Sequence, residues 1–342
     1  LIYTSIDNVQ YGQKLGRNIY KENGGILLKK GVELTVGLIT RLRNIGVSAL
    51  YILDDRFQDI EETQDLVTEE TRREAIQQLS VAMQCVQAGK DFNLQPISSV
   101  ANTLVQEISQ NKNILANLMD IRTKDNELFV HSLNTCMLSV VVGVKLELNQ
   151  IQLVELAIGS LLHDIGKTLV SEDDDKNHPW VGFNTLRKKH DFNVLTAHIA
   201  LQHHEHLDGS GYPRGVAGSE IPLSARIVGV TDYYDDLISY QKLPPFEACE
   251  YIMGYAGTRY DLEVVKHFLK SIAVYPTGSW VTLTTNEVGV VIAQHRGLPS
   301  RPIVRVLSSA NHDDSSSFDH ADIRDIDLSK EKTIFIKNII TE

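Results

Sequence analysis

The stretch whose residue types could do chemistry is His203-His204-Glu205-His206-Leu207-Asp208-Gly209-Ser210-Gly211-Tyr212-Pro213. Three histidines and two carboxylates fall within residues 203–208, followed by a glycine-rich turn closed by proline. Such a cluster is costly to bury without partners. Neutral imidazole and carboxylate are, however, the standard ligands of manganese, iron and zinc. Upstream, Leu161-Leu162-His163-Asp164-Ile165-Gly166-Lys167 ends an apolar run in an adjacent His–Asp pair. Of the 12 histidines, eight lie between His131 and His206. The clustering predicts a metal centre.

Taken singly, each residue has an ordinary reading. Glu127 and His131 are spaced i, i+4 and share a helical face, as many surface pairs do. His163 and Asp164 follow Leu153, Ala157 and Leu161, which places them at the buried end of an amphipathic helix. Gly166 can end that helix, with Lys167 just beyond. On a regular helix His203 and His204 diverge by about 100°. Both serve one centre only if two metals flank them or the helix distorts. His178-Pro179 starts a helix and projects its imidazole from the first turn. Asp232, after the apolar run at Val228, is a further candidate for a buried carboxylate. His190, His198 and His206 read as ordinary solvated or core histidines rather than groups that orient ligands.

These residues need elements to position them. A chain of 342 residues predicts two or three domains. The fold class is mainly α, an all-helical domain between a small N-terminal α+β module and a small C-terminal β-barrel or sheet. The boundaries are expected at 1–58, 59–273 and 274–342. Asn23-Gly24-Gly25 signals a hairpin between 17–20 and 26–28. A helix over 34–45 and a strand over 47–53 complete that module, and 56–68 reads as an acidic linker. Apolar periodicity predicts helices over 69–87, 97–108, 113–119, 127–144, 150–162, 179–190, 194–205, 223–238, 244–253 and 262–272. Beyond Tyr275-Pro276 the period changes. Strands are expected near Trp280, Val288, Ile303 and Thr333, with 312–325 a loose loop.

Composition sets outer limits. At 42% hydrophobic and 23% charged, the chain reads as soluble and globular. A net charge of −11 argues against a nucleic-acid polymer as partner but not against a small anion held by metal and local cations. Cys85, Cys136 and Cys249 are scattered and odd in number, as in a reducing compartment. No uninterrupted apolar segment is long enough for a bilayer, and nothing near Leu1 reads as a signal peptide. The expectation is a cytoplasmic protein with no membrane partner.

At this point the residues carry a resemblance. His163-Asp164-Ile165-Gly166-Lys167 resembles the signature of the HD superfamily of metal-dependent phosphohydrolases. His203-His204-Glu205 with Asp208-Gly209-Ser210-Gly211-Tyr212-Pro213 looks like the extended HD-GYP motif. The resemblance spans about 125–273, and the β segment after Tyr275-Pro276-Thr277-Gly278 looks like a tail of some members. It implies hydrolysis of the bacterial second messenger cyclic di-GMP to linear pGpG, and in some members on to GMP. It also implies two or three divalent metals, commonly iron or manganese.

Carried over by motif, His163, Asp164, His178, His203, His204 and Asp232 match the metal positions. Glu127 and His131 match the extra pair of three-metal members. Lys167 matches the lysine on substrate phosphate. The 208–213 loop, with Asp208, Gly209, Gly211, Tyr212 and Pro213, matches a proposed docking surface for diguanylate cyclase (GGDEF) partners, Tyr212 being its exposed candidate or else a structural plug. Three departures stand out. The 167–178 segment is short, which implies a more open pocket. Tyr240-Gln241-Lys242-Leu243 replaces an arginine-bearing stretch, so Lys242 is expected to take over phosphate contact in part. Tyr233, Tyr234 and Asp236 replace more apolar neighbours.

The expected reaction is attack on a phosphodiester by a metal-bridged hydroxide, with Asp164 bridging metals and Lys167 offsetting phosphoryl charge. A weakly active or inactive cyclic di-GMP receptor, or a phosphohydrolase for another cyclic dinucleotide, are the alternatives. The helix over 69–87 could be a homodimer contact, though packing within its own domain is the simpler reading.

Overall fold

Helix α4 (Glu127–Lys145) is apolar on all sides, and a helix of that kind is stable only when covered all round. It packs against α2 (Glu69–Gln87), α3 (Leu94–Gln110), α5 (Gln150–Leu162), α8 (Leu223–Ser239) and α10 (Leu262–Leu269). By length and composition alone α4 could cross a membrane, contrary to the expectation that no segment could. Of its 18-residue apolar window 78% is buried within the protein, and it forms the axis of the helical core. The computed structural model describes residues 1–340 apart from 22, 55–56, 58–64, 112–113, 118–120, 296 and 309–321.

Local signals set the helix ends. Thr68, Asn93, Asn149, Asn193 and Asp261 each accept a hydrogen bond from a first-turn N–H of α2, α3, α5, α7 (Val194–Gln202) and α10 respectively. Asn149 and Gln152 close a reciprocal capping box on α5. Helices α6 (His178–Leu186) and α9 (Pro245–Gly254) carry proline in the first turn. The apolar face of α2, including Ile76, Leu79 and Met83, joins the main core, so this face packs within its own chain.

The expected helix over 113–119 is not formed by its described part. Ala116 instead makes a parallel bridge with Ile272, donating to Ser271 O at 2.7 Å and accepting from Ala273 N at 3.0 Å. Asn113, Leu118 and Met119 lie outside the described residues. Helices expected to run to His190 and Glu205 stop at Leu186 and Gln202.

In the N-terminal module, β1 (Ile2–Ser5), β5 (Ala49–Leu53) and β2 (Lys14–Leu15) pair antiparallel in the order β1-β5-β2. The expected hairpin joins β3 (Ile19–Tyr20) to β4 (Ile26–Leu28). Helix α1 (Val36–Asn44) closes a separate small core around Leu15, Leu34, Leu42 and Leu50.

The C-terminal strands are β6 (Trp280–Leu283), β7 (Val288–Ala293), β8 (Ile303–Ser308), β9 (Asp322–Asp327) and β10 (Ile336–Ile339). They form an antiparallel sheet in the order β10-β6-β7-β8-β9, open rather than closed into a barrel. Strand β9 falls partly inside the segment expected to be a loose loop. Its apolar residues Ile323 and Ile326 are three apart, the first exposed and the second buried, so no two-residue period marks it, and Arg305 opposite Asp325 supplies a cross-strand ion pair at 2.7 Å. The last strand begins at Ile336 rather than near Thr333.

One buried side chain ties the N-terminal module to α4. Asn126, just before α4, donates to Tyr20 O at 3.0 Å and accepts from Thr123 N at 2.8 Å. Lys124 N donates to Ile45 O at 3.0 Å in the same segment. Asn126→Ala removes both Asn126 bonds and strands their partners, which costs about 1–3 kcal/mol. The urea midpoint of the full chain is expected to fall accordingly, and an unchanged midpoint would show that this contact does not hold the two parts together.

Candidate metal centre

Five separate elements deliver the site. His131 comes from the middle of α4, and His163 caps the C-terminus of α5 with Asp164 next to it. His178 opens α6, His203 and His204 follow α7, and Asp232 projects from α8. After Asp164 the chain makes a 3-10 turn over Ile165–Thr168. A Cβ on Gly166 would lie 2.1 Å from His178 O, so only glycine lets this turn rest on the start of α6 and bring His178 to Asp164. That close approach, rather than a helix cap, is the role of Gly166. Helix α7 stops at Gln202, so His203 and His204 sit in a turn with ring centroids 4.1 Å apart instead of diverging.

The ligand atoms form two sets. Those of His131, His163, Asp164 and Asp232 lie within 4.8 Å of one another, as do those of His178, His203 and His204. Asp164 faces both. Its Oδ2 is 3.4 Å from His131 Nε2 and 3.5 Å from His163 Nε2, while its Oδ1 is 3.2 Å from His178 Nε2 and 3.7 Å from His203 Nε2. Asp232 Oδ1 lies 3.0 Å from His131 Nε2 and 3.2 Å from His163 Nε2, with Oδ2 3.7 Å from His204 Nδ1.

Hydrogen bonding decides what these nitrogens can do. His163 Nδ1 donates to Ser160 O at 2.7 Å, His178 Nδ1 to Asp175 O at 2.6 Å and His203 Nδ1 to Ile199 O at 3.1 Å. A carbonyl only accepts, so in each neutral ring the proton is on Nδ1 and Nε2 is a bare lone pair. His131 Nδ1 is fixed likewise by Asp235 Oδ2 at 2.7 Å. Yet His178 Nε2 faces His203 Nε2 at 3.2 Å, and His131 Nε2 faces His163 Nε2 at 3.3 Å. Facing lone pairs repel unless a proton or a cation lies between them. Both oxygens of buried Asp164 also lack a hydrogen bond, Lys167 Nζ being an ion-pair partner at 2.6 Å but off the hydrogen-bond line. The two sets would hold a divalent cation each, which would satisfy these groups, and nitrogen and oxygen donors are the right kind.

The electrostatics divide the histidines. Burial pulls His131 down, but the surrounding carboxylates of Asp164, Asp232 and Asp235 outweigh it and hold His131 well above the usual range. Burial together with neighbouring histidines holds His203 well below its usual value, and burial pushes His204 down to about 3. Burial opposes the ionised form of Asp164, but His163 and Lys167 outweigh it and keep the carboxyl well below its usual value. The carboxylate-rich side therefore holds a proton that a metal would displace, whereas His203 and His204 are already neutral.

Lys167 stands at the edge of the centre with a side chain 21% exposed. Glu127 is half-buried one turn before His131 and falls outside both sets. It lines a cavity of about 240 Å³ with exposed Lys242, so neither residue joins the ligand clusters. Between Lys167 and His178 the chain makes a 3-10 stretch over Glu172–Asn177, and 171–177 are exposed.

Tyr212 is half-buried rather than exposed, its ring stacked on His204 at 4.6 Å. Its N–H donates to His204 O at 3.1 Å, and the Tyr212–Pro213 peptide is cis. Asp208 is exposed and accepts from Ser210 N at 2.9 Å and Ser210 Oγ at 2.6 Å, fixing the turn at Gly209. A Cβ on Gly211 would meet His204 O at 2.4 Å, so this glycine lets the loop lie on the backbone of 204–206. His206 Nδ1 bonds Ser210 Oγ at 3.0 Å, His198 packs on Phe183 and His190 is exposed, all ordinary roles.

Four residues that sequence reasoning did not assign support the site. Buried Glu205 accepts from Arg214 N at 2.7 Å and Val216 N at 3.2 Å, clamping the loop. Arg122 makes a bidentate pair with Asp235 at 3.0 and 2.6 Å, and Asp235 in turn orients His131. Asp236, where burial and then Asp232 push the carboxyl up to about 7, lies near His131. The spacing of Asp235 and Asp236 one turn beyond Asp232 was the available signal; nothing in the sequence around Arg122 marked it.

Residues 176–264 match the HD domain family, and residues 280–342 match a KOW domain associated with HD domain. The first match takes in His178, His203, His204 and Asp232 and begins after Asp164. A cyclic di-GMP phosphodiesterase of Pseudomonas aeruginosa is 34% identical over 233 residues, covering 61% of this chain and 56% of that protein. A cyclic di-GMP phosphodiesterase of Thermotoga maritima is 36% identical over 166 residues, 43% of this chain and 45% of that protein. The chain thus spans about half the length of these relatives. The solved structure of an HDG"Y"P protein from Bdellovibrio bacteriovorus aligns with a TM-score of 0.53 at 21% identity, covering 78% of this chain and 97% of that one, and shows a shared fold.

Acid should expose the second carboxylate. Burial raises Asp235, but Arg122 and His131 outweigh it and hold its carboxyl well below the usual value. A carboxyl lowered from about 3.9 in the unfolded chain stabilises the fold above about pH 4, and that stability is lost as pH falls through the folded value. Asp235→Asn is therefore expected to flatten the acid limb of a melting-temperature profile taken in chelator. An acid limb as steep as that of the parent would mean that Arg122 and His131 do not hold this carboxylate.

Proposed function

We propose that this chain, an HD-domain protein related to the HD-GYP cyclic di-GMP phosphodiesterases, hydrolyses cyclic di-GMP to linear pGpG. The observation that carries the reading is Asp164, buried between two ligand sets with one oxygen toward each. Iron or manganese suits a set of imidazole and carboxylate donors without thiolate. The two sets support two metals, and a third would have to recruit Glu127. When bound, such metals supply Lewis acidity and lower the pKa of water.

The chain's own groups do the rest. Asp164 and Asp232 fix the spacing between the sets, and the Nδ1 hydrogen bonds keep each Nε2 aimed inward. Burial disfavours the charged form of Lys167, but Asp164, Asp232 and Asp236 outweigh it and raise its pKa. Lys167 therefore stays cationic and acts on phosphoryl charge, not as a base. Tyr212 covers one face of His204 and limits water there. A second hydrolysis, of pGpG to GMP, uses the same groups.

Docking of a diguanylate cyclase on the 208–213 loop would use the exposed edge at Asp208 and Ser210, because Tyr212 is turned inward. A cytoplasmic setting agrees with three free cysteines, Cys85, Cys136 and Cys249.

The test is an anaerobic preparation of the full chain, metal counting by elemental analysis, and chromatography of cyclic di-GMP turnover with iron or manganese. Two metals per chain and formation of pGpG are expected, with Asp164→Asn abolishing turnover. Lys167→Ala is expected to lower kcat by roughly 10²–10³-fold while leaving the metal count intact. Tight binding without product would replace the enzyme by a receptor. Preference for a hybrid cyclic dinucleotide in the same assay would change the substrate, and a metal-free chain would overturn the centre itself.

A further inference from the structure

A cavity of about 280 Å³ lies between the N-terminal module and the helical core. That is close to the lower end of the roughly 300–1,000 Å³ of pockets that take a small organic ligand. Its floor is apolar, with Ile76 of α2 and Val130 and Leu133 of α4 all buried. Arg17, Asn18 and Tyr20 of the module and Glu69 and Arg72 of α2 form its polar side. No residue of either metal-ligand set lines it.

Helix α4 is the wall between this cavity and the metal centre. At about 100° per residue, Val130 and Leu133 stand about 100° and 160° round the axis from His131. The same helix therefore shows the cavity one face and the metal ligands another. Ile121, also in the wall, packs against the core of the module and immediately precedes Arg122. Arg122 pairs with Asp235, which orients His131. Asn126, a third wall residue, holds Tyr20 O at 3.0 Å. Whatever fills the cavity thus bears on α4 and on the segment that presents Arg122.

The charges on the walls select the ligand. Arg17, Lys30 and Arg72 face Asp65 and Glu69, three cations against two carboxylates, in a chain of net charge −11. Both carboxylates are engaged within the chain. Asp65 pairs with Arg17 at 3.0 Å, and Glu69 accepts from Asn18 Nδ2 at 2.7 Å. Burial, and then the hydrogen bond to Glu69, hold the Tyr20 hydroxyl well above its usual pKa, so it stays a donor. A cation would compete with those donors, whereas an anion meets the surplus positive charge. An apolar floor beneath a cationic rim suits an organic monoanion with a short apolar body.

We propose that this cavity is an effector site for a small aliphatic carboxylate, and that its occupancy tightens metal binding on the other side of α4. The aliphatic body lies on Ile76, Val130 and Leu133, and the carboxylate points toward Lys30 and Arg72. A filled seam holds residues 121–126 against the module and keeps Arg122 on Asp235. A site already ordered by one ligand binds a second more tightly. The module is then a sensor for the metal centre, whichever phosphodiester that centre hydrolyses.

The test uses the full chain with hexanoate as the probe and reads binding, so that turnover does not enter. Equilibrium dialysis of radiolabelled hexanoate against the manganese-loaded chain gives its Kd, with hexylammonium as the cation of matching body. Lys30→Glu and Arg72→Glu reverse charges on two separate elements, one exposed and one half-buried, and circular dichroism checks that each variant folds. Each is expected to weaken hexanoate by roughly tenfold, and hexylammonium is expected not to bind the parent. Free manganese, read by electron paramagnetic resonance, then gives the metal Kd with and without saturating hexanoate. Tightening of about fivefold or more is expected, and by linkage manganese must tighten hexanoate by the same factor. Hexylammonium binding as well as hexanoate, an unchanged hexanoate Kd in both folded variants, or a manganese Kd indifferent to hexanoate each overturns the effector site. A chain that shows this coupling but leaves cyclic di-GMP intact overturns the phosphodiesterase reading and not the site.

Discussion

The structure depends on the burial of Asp164 between two groups of imidazoles. A buried carboxylate whose oxygens lack hydrogen bonds is among the most expensive things a fold can contain, and Lys167 offsets only part of that cost. The remainder would be offset by a cation held by the surrounding imidazoles and Asp232. Several surrounding features serve to make that arrangement unavoidable. The carbonyls of Ser160, Asp175 and Ile199 fix three ring tautomers, and Asp235 fixes a fourth.

Rigidity at the centre comes from elements far apart in sequence. His131 sits on the most buried helix of the chain, and the turn at Gly166 can lie on α6 only because no side chain intervenes. The loop after His204 is laid against its own backbone and clamped by Glu205. The segment before α4 is held by the N-terminal module through Asn126 and Lys124, and it also presents Arg122 to Asp235. Packing of the small module and orientation of a candidate metal ligand are thus linked through one short stretch of chain.

Much of the helical core was legible because its apolar period is strong and its caps are explicit. The spans of α2 and α5 coincide with the periodicity, and Asn149 with Gln152 marks a start that sequence alone reveals. The failures have physical causes. Ala116, in the middle of 113–119, satisfies its backbone with Ser271 and Ala273 instead of with a helical neighbour. Strand β9 is acidic, and partners outside it, Arg305 of β8 opposite Asp325 and His295 beside Asp327, offset that charge in the sheet.

The site divides the same way. Residue type and spacing determined the donor set of His131, His163, Asp164, His178, His203, His204 and Asp232, because ligand chemistry is a property of side chains. Which of them meet, and across what distance, is a property of helix packing. Only the tertiary structure placed Asp164 toward both groups, left Glu127 and Lys242 on a separate cavity, turned Tyr212 onto His204, and recruited Arg122 and Asp235 from positions 113 residues apart. Local sequence carries donors and periodicity, whereas contacts between distant elements are fixed by the cost of leaving apolar faces and buried charges without partners.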